Sequence, residues 1–336
     1  MRAMIFHKFG GPITVQEVDD PIPGENDAVI KVEATGLCRS DWHGWKGHDS
    51  DISLPHVPGH EFAGTIFSKG SAVQLPIGMR VVAPFVQGCS KCEFCQSGNA
   101  QVCPTQTQAG FTHFGSFAEY VLVKSADFNL VPLPESISFD VAASLGCRFA
   151  TSYRALIDRA KIESEEVVAV FGCGGVGLSA VMIAASRGAH VIAIDINSDS
   201  LQKAESVGAK TLINSSNEKT PLESVDVAID ALGSPATASA AILSLKRRGR
   251  MVQVGLLPTN PELPMSRVIS HELDLLGSHG MSALHYPRML KQIEAGILKP
   301  ELLLDDALSL DQAAVELSKL GEQPSRGVRI IHPNSR

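Results

Sequence analysis

The stretch Val167-Val168-Ala169-Val170-Phe171-Gly172-Cys173-Gly174-Gly175-Val176-Gly177 decides the fold of this chain. An apolar run ends in four glycines within six positions, and a second apolar run continues to Ser186. The uncharged span is about as long as a membrane helix. Glycines clustered in its middle read instead as a tight turn between a strand and a helix. Gly172 permits the turn, Gly174 lets the backbone approach a pyrophosphate, and Gly177 lets helix and strand pack closely. Val176 opens the helix behind Gly175, and the free N–H groups of that helix start favour an anion. Asp195 ends the next strand, 18 residues after Gly177. It is placed to accept hydrogen bonds from an adenosine ribose diol, and its charge would repel a 2′-phosphate. Asn197 and Ser198 beside it are uncharged, so NAD is favoured over NADP. The plainer alternative is a purely structural turn, with Asp195 capping a strand.

From about residue 148 onward, strand and helix patterns alternate, as in a parallel α/β sheet. Strands are expected at Val167–Phe171, His190–Asp195, 211–213, Val225–Asp230, 250–254 and 273–277. Helices are expected at 176–187, 198–207 and 235–245, with Gly208 as a stop signal. Six strands with interleaved helices fit a doubly wound dinucleotide-binding domain. The first half reads as β-rich, with runs such as Ala28–Val32 and Tyr120–Val123 separated by Gly, Pro and Asp clusters. The tail carries helix-like segments near 287–294 and 311–320, then a strand-like 328–331.

The chain has 336 residues, about two domains' worth at ~150 residues each. Its 44% hydrophobic and 19% charged residues supply a packed core. A net charge of -7 and 5% aromatics argue against a broad nucleic-acid surface or a stacking platform. The opening residues, Met1 to Lys8, lack the apolar stretch of a secretory signal, and a cytoplasmic location is expected, with no membrane partner.

The seven cysteines include four crowded into fifteen positions. Cys89, Cys92, Cys95 and Cys103 read C-x2-C-x2-C-x7-C, a spacing that lets four thiolates wrap one tetrahedral Zn²⁺. Such a closed site would hold a loop in shape and do no chemistry. Reduced thiols or an iron–sulfur cluster are the alternatives. Cys38, His60 and Cys147 remain as further soft or borderline ligands. Two thiolates and one imidazole on Zn²⁺ would sum to zero charge and leave an open position. Read singly, each is equally a buried thiol or a satisfied histidine.

The whole chain, from about residue 1 to 332, resembles the zinc-dependent medium-chain alcohol dehydrogenases. The markers run in order: Gly36-Leu37-Cys38-Arg39-Ser40-Asp41 with His43 following, Gly59-His60-Glu61, the four-cysteine lobe, Gly115-Ser116-Phe117-Ala118-Glu119-Tyr120, the Cys147 segment, and the glycine loop with Asp195. The resemblance implies a GroES-like β-barrel catalytic domain over 1–147, completed by 280–336, and a Rossmann NAD-binding domain with a doubly wound parallel six-stranded sheet over 148–279. It implies two zinc ions, a catalytic one on Cys38, His60 and Cys147 and a structural one in the lobe. Asp41 would orient His60, and Glu61 would approach the metal during ligand exchange. Ser40 would bond the alcohol, and His43 would pass the proton to solvent. Arg39 would meet the pyrophosphate, with Thr151, Val176 and Val254 also lining the cofactor site. Phe85, Trp45 and Trp42 are expected in the pocket wall, and Cys173 is expected as a small spacer against the cofactor backbone. The substrate would be a small alcohol, aldehyde or ketone, and the assembly a homo-tetramer, with a dimer next. Polyol dehydrogenases of the superfamily usually carry a carboxylate in the Cys147 segment, and the zinc-free quinone reductases lack the cysteines. A polyol, sugar-alcohol or amino-acid-alcohol dehydrogenase is the runner-up.

Overall fold

The computed structural model of the chain describes residues 1–321 and 327–335. Strand Val167–Phe171 is almost wholly buried, because a parallel sheet is covered on both faces. It sits centrally in a six-stranded parallel sheet, between His190–Asp195 and Val225–Asp230. Thr211–Asn214 lies outside the former, and Leu245–Gln253 then Asp274–Gly277 lie outside the latter. The strand order therefore reverses beside Val167–Phe171, and a doubly wound sheet opens its binding crevice at the C-terminal end of that strand. Helix Gly175–Ser186 begins at this point and is buried along most of its length.

The second lobe is built on Ala28–Leu37, which pairs antiparallel with Phe62–Lys69 on one side. On its other side Tyr120–Val123 pairs with its first residues and Val328–Ile331 with its last. Leu304–Leu308, Arg80–Val82 and Val131–Pro132 complete a seven-stranded sheet. The tail thus returns to the N-terminal lobe. The helical residues 139–160 link the two sheets, and their apolar side chains share one core with Val168, Val170 and Leu178.

Three local features depart from the sequence reading. The fifth Rossmann strand begins at Leu245, not 250, with Arg248 in a left-handed conformation at φ 61° where its register shifts. Ala28–Leu37 continues well past Val32, the last residue of the apolar run that signalled it. The two-stranded sheet of Arg2–Phe6 with Ile13–Glu17, and the helical run ahead of Cys147, carried no strong periodic signal. Among the described residues, no helix is long and apolar enough to cross a membrane.

Candidate active site and metal centres

Helix Arg39–Lys46 starts where Ala28–Leu37 ends, with Cys38 as its N-cap. The Asp41 carboxylate accepts from the Cys38 backbone N–H at 3.0 Å and from Gly59 N–H at 3.0 Å. Its Oδ1 also lies 2.9 Å from His60 Nδ1. This carboxylate therefore ties together the two segments that carry Cys38 and His60. Gly59 adopts φ 103°, and a side chain there would strike the Phe117 backbone nitrogen at 2.6 Å. Cys147 arrives on the linking helix. Tyr286, wholly buried, donates its hydroxyl to the Gly146 carbonyl at 3.2 Å and anchors that turn.

The ligand atoms of Cys38, His60, Cys147 and Glu61 all lie within 4.8 Å of one another. With Nδ1 committed to Asp41, the proton is assigned to that nitrogen. His60 Nε2 is then buried, with no hydrogen-bond partner among the described residues. A buried ring nitrogen left without a partner between two thiols is the expected signature of a metal site. The Cys147 contact, Arg148 and His60 together push the Cys38 thiol well below its ordinary value against its burial. The Cys38 contact and burial push Cys147 well above its own. The pair thus ionises in sequence, and a second thiolate needs a cation beside it. Burial pushes His60 down, but Asp41 and Cys38 outweigh it and raise the imidazole. The residues fit a zinc ion with one open position.

The second cluster repeats this logic with a closed shell. Cys89, Cys92, Cys95 and Cys103 bring their sulfurs within 4.8 Å of one another. Cys92 and Cys103 lie 3.7 Å apart, and Cys89 and Cys95 4.0 Å. Sulfurs bound tetrahedrally to zinc at about 2.3 Å would sit about 3.8 Å apart. The backbone N–H groups of Cys92 and Cys89 point at Cys89 Sγ and Cys103 Sγ, at 3.4 and 3.5 Å. The Thr105 hydroxyl and the Lys91 and Cys92 amides hold the Cys89 thiol down at about 5. Burial and the neighbouring thiols push Cys95 up to about 12.

The glycine loop meets its steric demands at three points. Gly172 has φ 90°, and a Cβ on Gly177 would lie 1.8 Å from the Gly172 carbonyl oxygen. At Gly174 a Cβ would find nothing within 4 Å, so open space lies over this peptide. That is the room a pyrophosphate needs. Asp195 accepts from Cys173 N–H at 2.6 Å and from Asn197 N–H at 2.9 Å, which fixes the loop against the second strand. The Cys173 side chain is fully buried in the domain core, so it packs inward rather than against the cofactor groove.

Ser40 Oγ lies 3.8 Å from Cys38 Sγ. His43 is exposed, and its Nδ1 lies 2.9 Å from His48 Nδ1. Arg39 is exposed on the first turn of its helix. Thr151 is buried one turn beyond Cys147. Val176 stands near it, its carbonyl accepting from Ser152 at 2.8 Å. Val254 donates to the Asp230 carbonyl at 3.1 Å just after the fifth strand. Phe85 lies beside the candidate cluster, its ring 6.1 Å from that of His60. Trp45 donates its indole N–H to the Gly11 carbonyl at 2.9 Å, and it packs with Phe6, Ile52 and Leu317 in a core that also holds Phe111. Trp42 is half-buried on the same helix, in line with His48 and Lys46.

Three residues near the site escaped the sequence reading. Phe111 has its ring 5.2 Å from His60, and His279 lies 5.3 Å from Phe85. Arg148 is the third. It is 5% exposed and forks onto the fully buried Glu61. A charge beside Cys147, the single one over residues 141–153, was the available signal, since a buried arginine must be paired. Removing one partner of such a pair costs about 3–5 kcal/mol.

Comparison with known proteins bears on this geometry. Residues 24–135 match the alcohol dehydrogenase GroES-like domain, and residues 175–295 match the zinc-binding dehydrogenase model. An alcohol dehydrogenase of Geobacillus stearothermophilus is 32% identical over 83% of this chain and 84% of its own length. The chain belongs to the zinc-dependent medium-chain dehydrogenase/reductase family. An NAD-dependent alcohol dehydrogenase of Sulfurisphaera tokodaii is 29% identical, covering 99% of this chain and 100% of the relative. The crystal structure of the alcohol dehydrogenase of Aeropyrum pernix superposes with a TM-score of 0.88 at 27% identity, covering 99% of this chain and 100% of that one. Function follows at the level of reaction class: the chain is an oxidoreductase with the chemistry of a zinc-dependent alcohol dehydrogenase.

Proposed function

We propose that this chain oxidises small, unphosphorylated alcohols with NAD⁺, and reduces the matching carbonyls, using two zinc sites of different kind. The observation that carries the reading is the buried His60 Nε2, without a partner among the described residues, between the Cys38 and Cys147 thiols, with Asp41 on the opposite ring nitrogen. Cys38, His60 and Cys147 would hold the catalytic ion. The four thiols at Cys89, Cys92, Cys95 and Cys103 would hold the structural one. When bound, zinc supplies a Lewis acid for the alcohol oxygen, and nicotinamide supplies the hydride acceptor.

The chain's own residues do the rest. Asp41 holds the His60 tautomer and ring angle. Ser40 Oγ accepts the alcohol proton as its own hydroxyl proton is passed on, and His43 hands a proton to solvent from an imidazole nitrogen. Thr151 and Val176 form the floor beneath the nicotinamide, with Val254 beside it. Arg39 and the helix start at Gly174, Gly175 and Val176 receive the pyrophosphate. Asp195 takes the ribose diol and disfavours a 2′-phosphate. Phe85 and Phe111 exclude water around His60, and this apolar wall favours simple alcohols over polyols. The catalytic unit comprises 1–147 with 280–336, and the cofactor unit 148–279. A tetramer in the cytoplasm completes the reading; the clustered thiols call for a reducing compartment.

The test follows reduced-nicotinamide absorbance with NAD⁺ or NADP⁺ and a panel of primary, secondary, aromatic and polyhydric alcohols. NAD⁺ reduction by simple alcohols, lost on chelation and restored by zinc, is expected. Turnover of polyols alone would move the assignment to the polyol dehydrogenases. A silent panel from protein that holds zinc and NAD⁺ would refute the substrate class.

A further inference from the structure

Glu61, which the resemblance has approaching the metal during ligand exchange, lies within 4.8 Å of the Cys38, His60 and Cys147 ligand atoms, yet both of its carboxylate oxygens are held by Arg148. Its Oε1 accepts from the Arg148 backbone N–H at 3.0 Å and from Arg148 Nε at 3.0 Å, and its Oε2 accepts from Arg148 Nη2. Glycines on separate segments clear the space for this fork. A side chain at Gly36 would meet Glu61 Oε2 at 2.6 Å and Arg148 Nη2 at 3.0 Å. One at Gly175 would meet Arg148 Cδ at 2.5 Å. One at Gly146 would press on Glu61 Cα at 3.1 Å. The backbone around the pair is thus shaped to admit a guanidinium between the metal cluster and the first turn of the cofactor helix.

We propose that Arg148 is a positioning residue that withholds Glu61 from the catalytic metal and so keeps the fourth coordination place open for the alcohol. The inference rests on the zinc reading of Cys38, His60 and Cys147. With those three ligands on Zn²⁺ the charge is zero, and Arg148 cancels Glu61 separately. Freed of its guanidinium, a buried carboxylate has one strong cation within reach, and occupying it fills the place the substrate oxygen needs. A bidentate, planar donor does this where a point charge on a flexible stem would not.

The test uses the cobalt-substituted full-length protein and imidazole as the probe, read in the visible absorption of cobalt rather than by turnover. Wild type should bind imidazole at the metal. Arg148→Met should weaken that binding about tenfold or more, a change comparable to the loss of metal affinity when groups that support the ligands are removed. The double variant Arg148→Met with Glu61→Gln should recover it. Unchanged imidazole binding in Arg148→Met would overturn the proposal. If Arg148→Met fails to fold, Glu61→Gln alone decides. Wild-type imidazole affinity in it supports a carboxylate already held off the metal. Tenfold tighter binding would mean that Glu61 competes for the metal despite Arg148, and would overturn it. Cobalt bound in wild type with no response to imidazole would instead refute the open zinc site itself, and the proposal with it.

Discussion

Ser40 and Asp195 separate the chemical step from cofactor choice. Ser40→Ala should lower turnover by about 10²–10⁴, the usual worth of a positioned proton-transfer group. Metal content, measured alongside by elemental analysis, should stay at the wild-type level; unaltered turnover would remove Ser40 from the relay. Asp195→Gly should raise the NADP⁺-to-NAD⁺ ratio of kcat/KM by about tenfold or more, because hydrogen bonds to an ionised group are worth about 1.5–3 kcal/mol. It should also loosen the loop, since Asp195 holds the Cys173 and Asn197 amides. A mutant that still ignores NADP⁺ would place the discrimination elsewhere. At this scale the sequence marked the residues whose chemistry is unusual for their spacing. Cys38, His60 and Cys147 could be named, and their convergence came only from resemblance. Arg148 stayed hidden because its partner is 87 positions away in the chain. The place of Trp45 could not be read from its motif alone, because its N–H is satisfied by Gly11, 34 positions away, in a core that also holds Phe111.

The strand–loop–helix element makes a sharper test of geometry, because its glycines have different duties. Gly177→Ala sets a methyl group against the Gly172 carbonyl, where 1.8 Å is available. It should destabilise the protein by about 3 kcal/mol or more, read as a lowered midpoint in thermal unfolding. Gly174→Ala meets no atom within 4 Å and needs no left-handed backbone. Its thermal midpoint should match wild type, while NAD⁺ binding weakens about tenfold as the methyl enters the pyrophosphate space. A Gly174→Ala protein that binds NAD⁺ normally would remove that space from the cofactor site. This element was legible in full, because glycine spacing, flanking apolar runs and a late acid are local signals. The two-stranded sheet near the N-terminus was not, since Ile13–Glu17 is mostly exposed and its partner lies across a turn.

In the whole molecule, the tail joins the N-terminal lobe through Val328–Ile331 on Ala28–Leu37, so the strand that leads into Cys38 is paired with a segment remote in sequence. The strand-like tail could be read from its sequence, but long-range pairing of this kind leaves no local mark. Acid should unsettle this lobe. Burial pushes the His56 and His113 imidazoles below their usual 6.5. The unfolded chain therefore takes up protons first, and the stability these groups contribute is present above pH 6.5 and falls as pH drops through their lowered values. Thermal melts between about pH 8 and pH 5 should show the decline, and His56→Gln should flatten it relative to wild type. Equal slopes in the two proteins would remove His56 from the effect.

The most direct test of the two-site account is zinc stoichiometry measured beside turnover in wild type, Cys147→Ser and Cys103→Ser. Wild type should hold about two zinc ions per chain. Cys147→Ser should keep the lobe's ion and the fold while losing alcohol oxidation. Cys103→Ser should lose the other ion and melt at a lower temperature. A Cys147→Ser protein that retains both ions and full turnover would contradict the account.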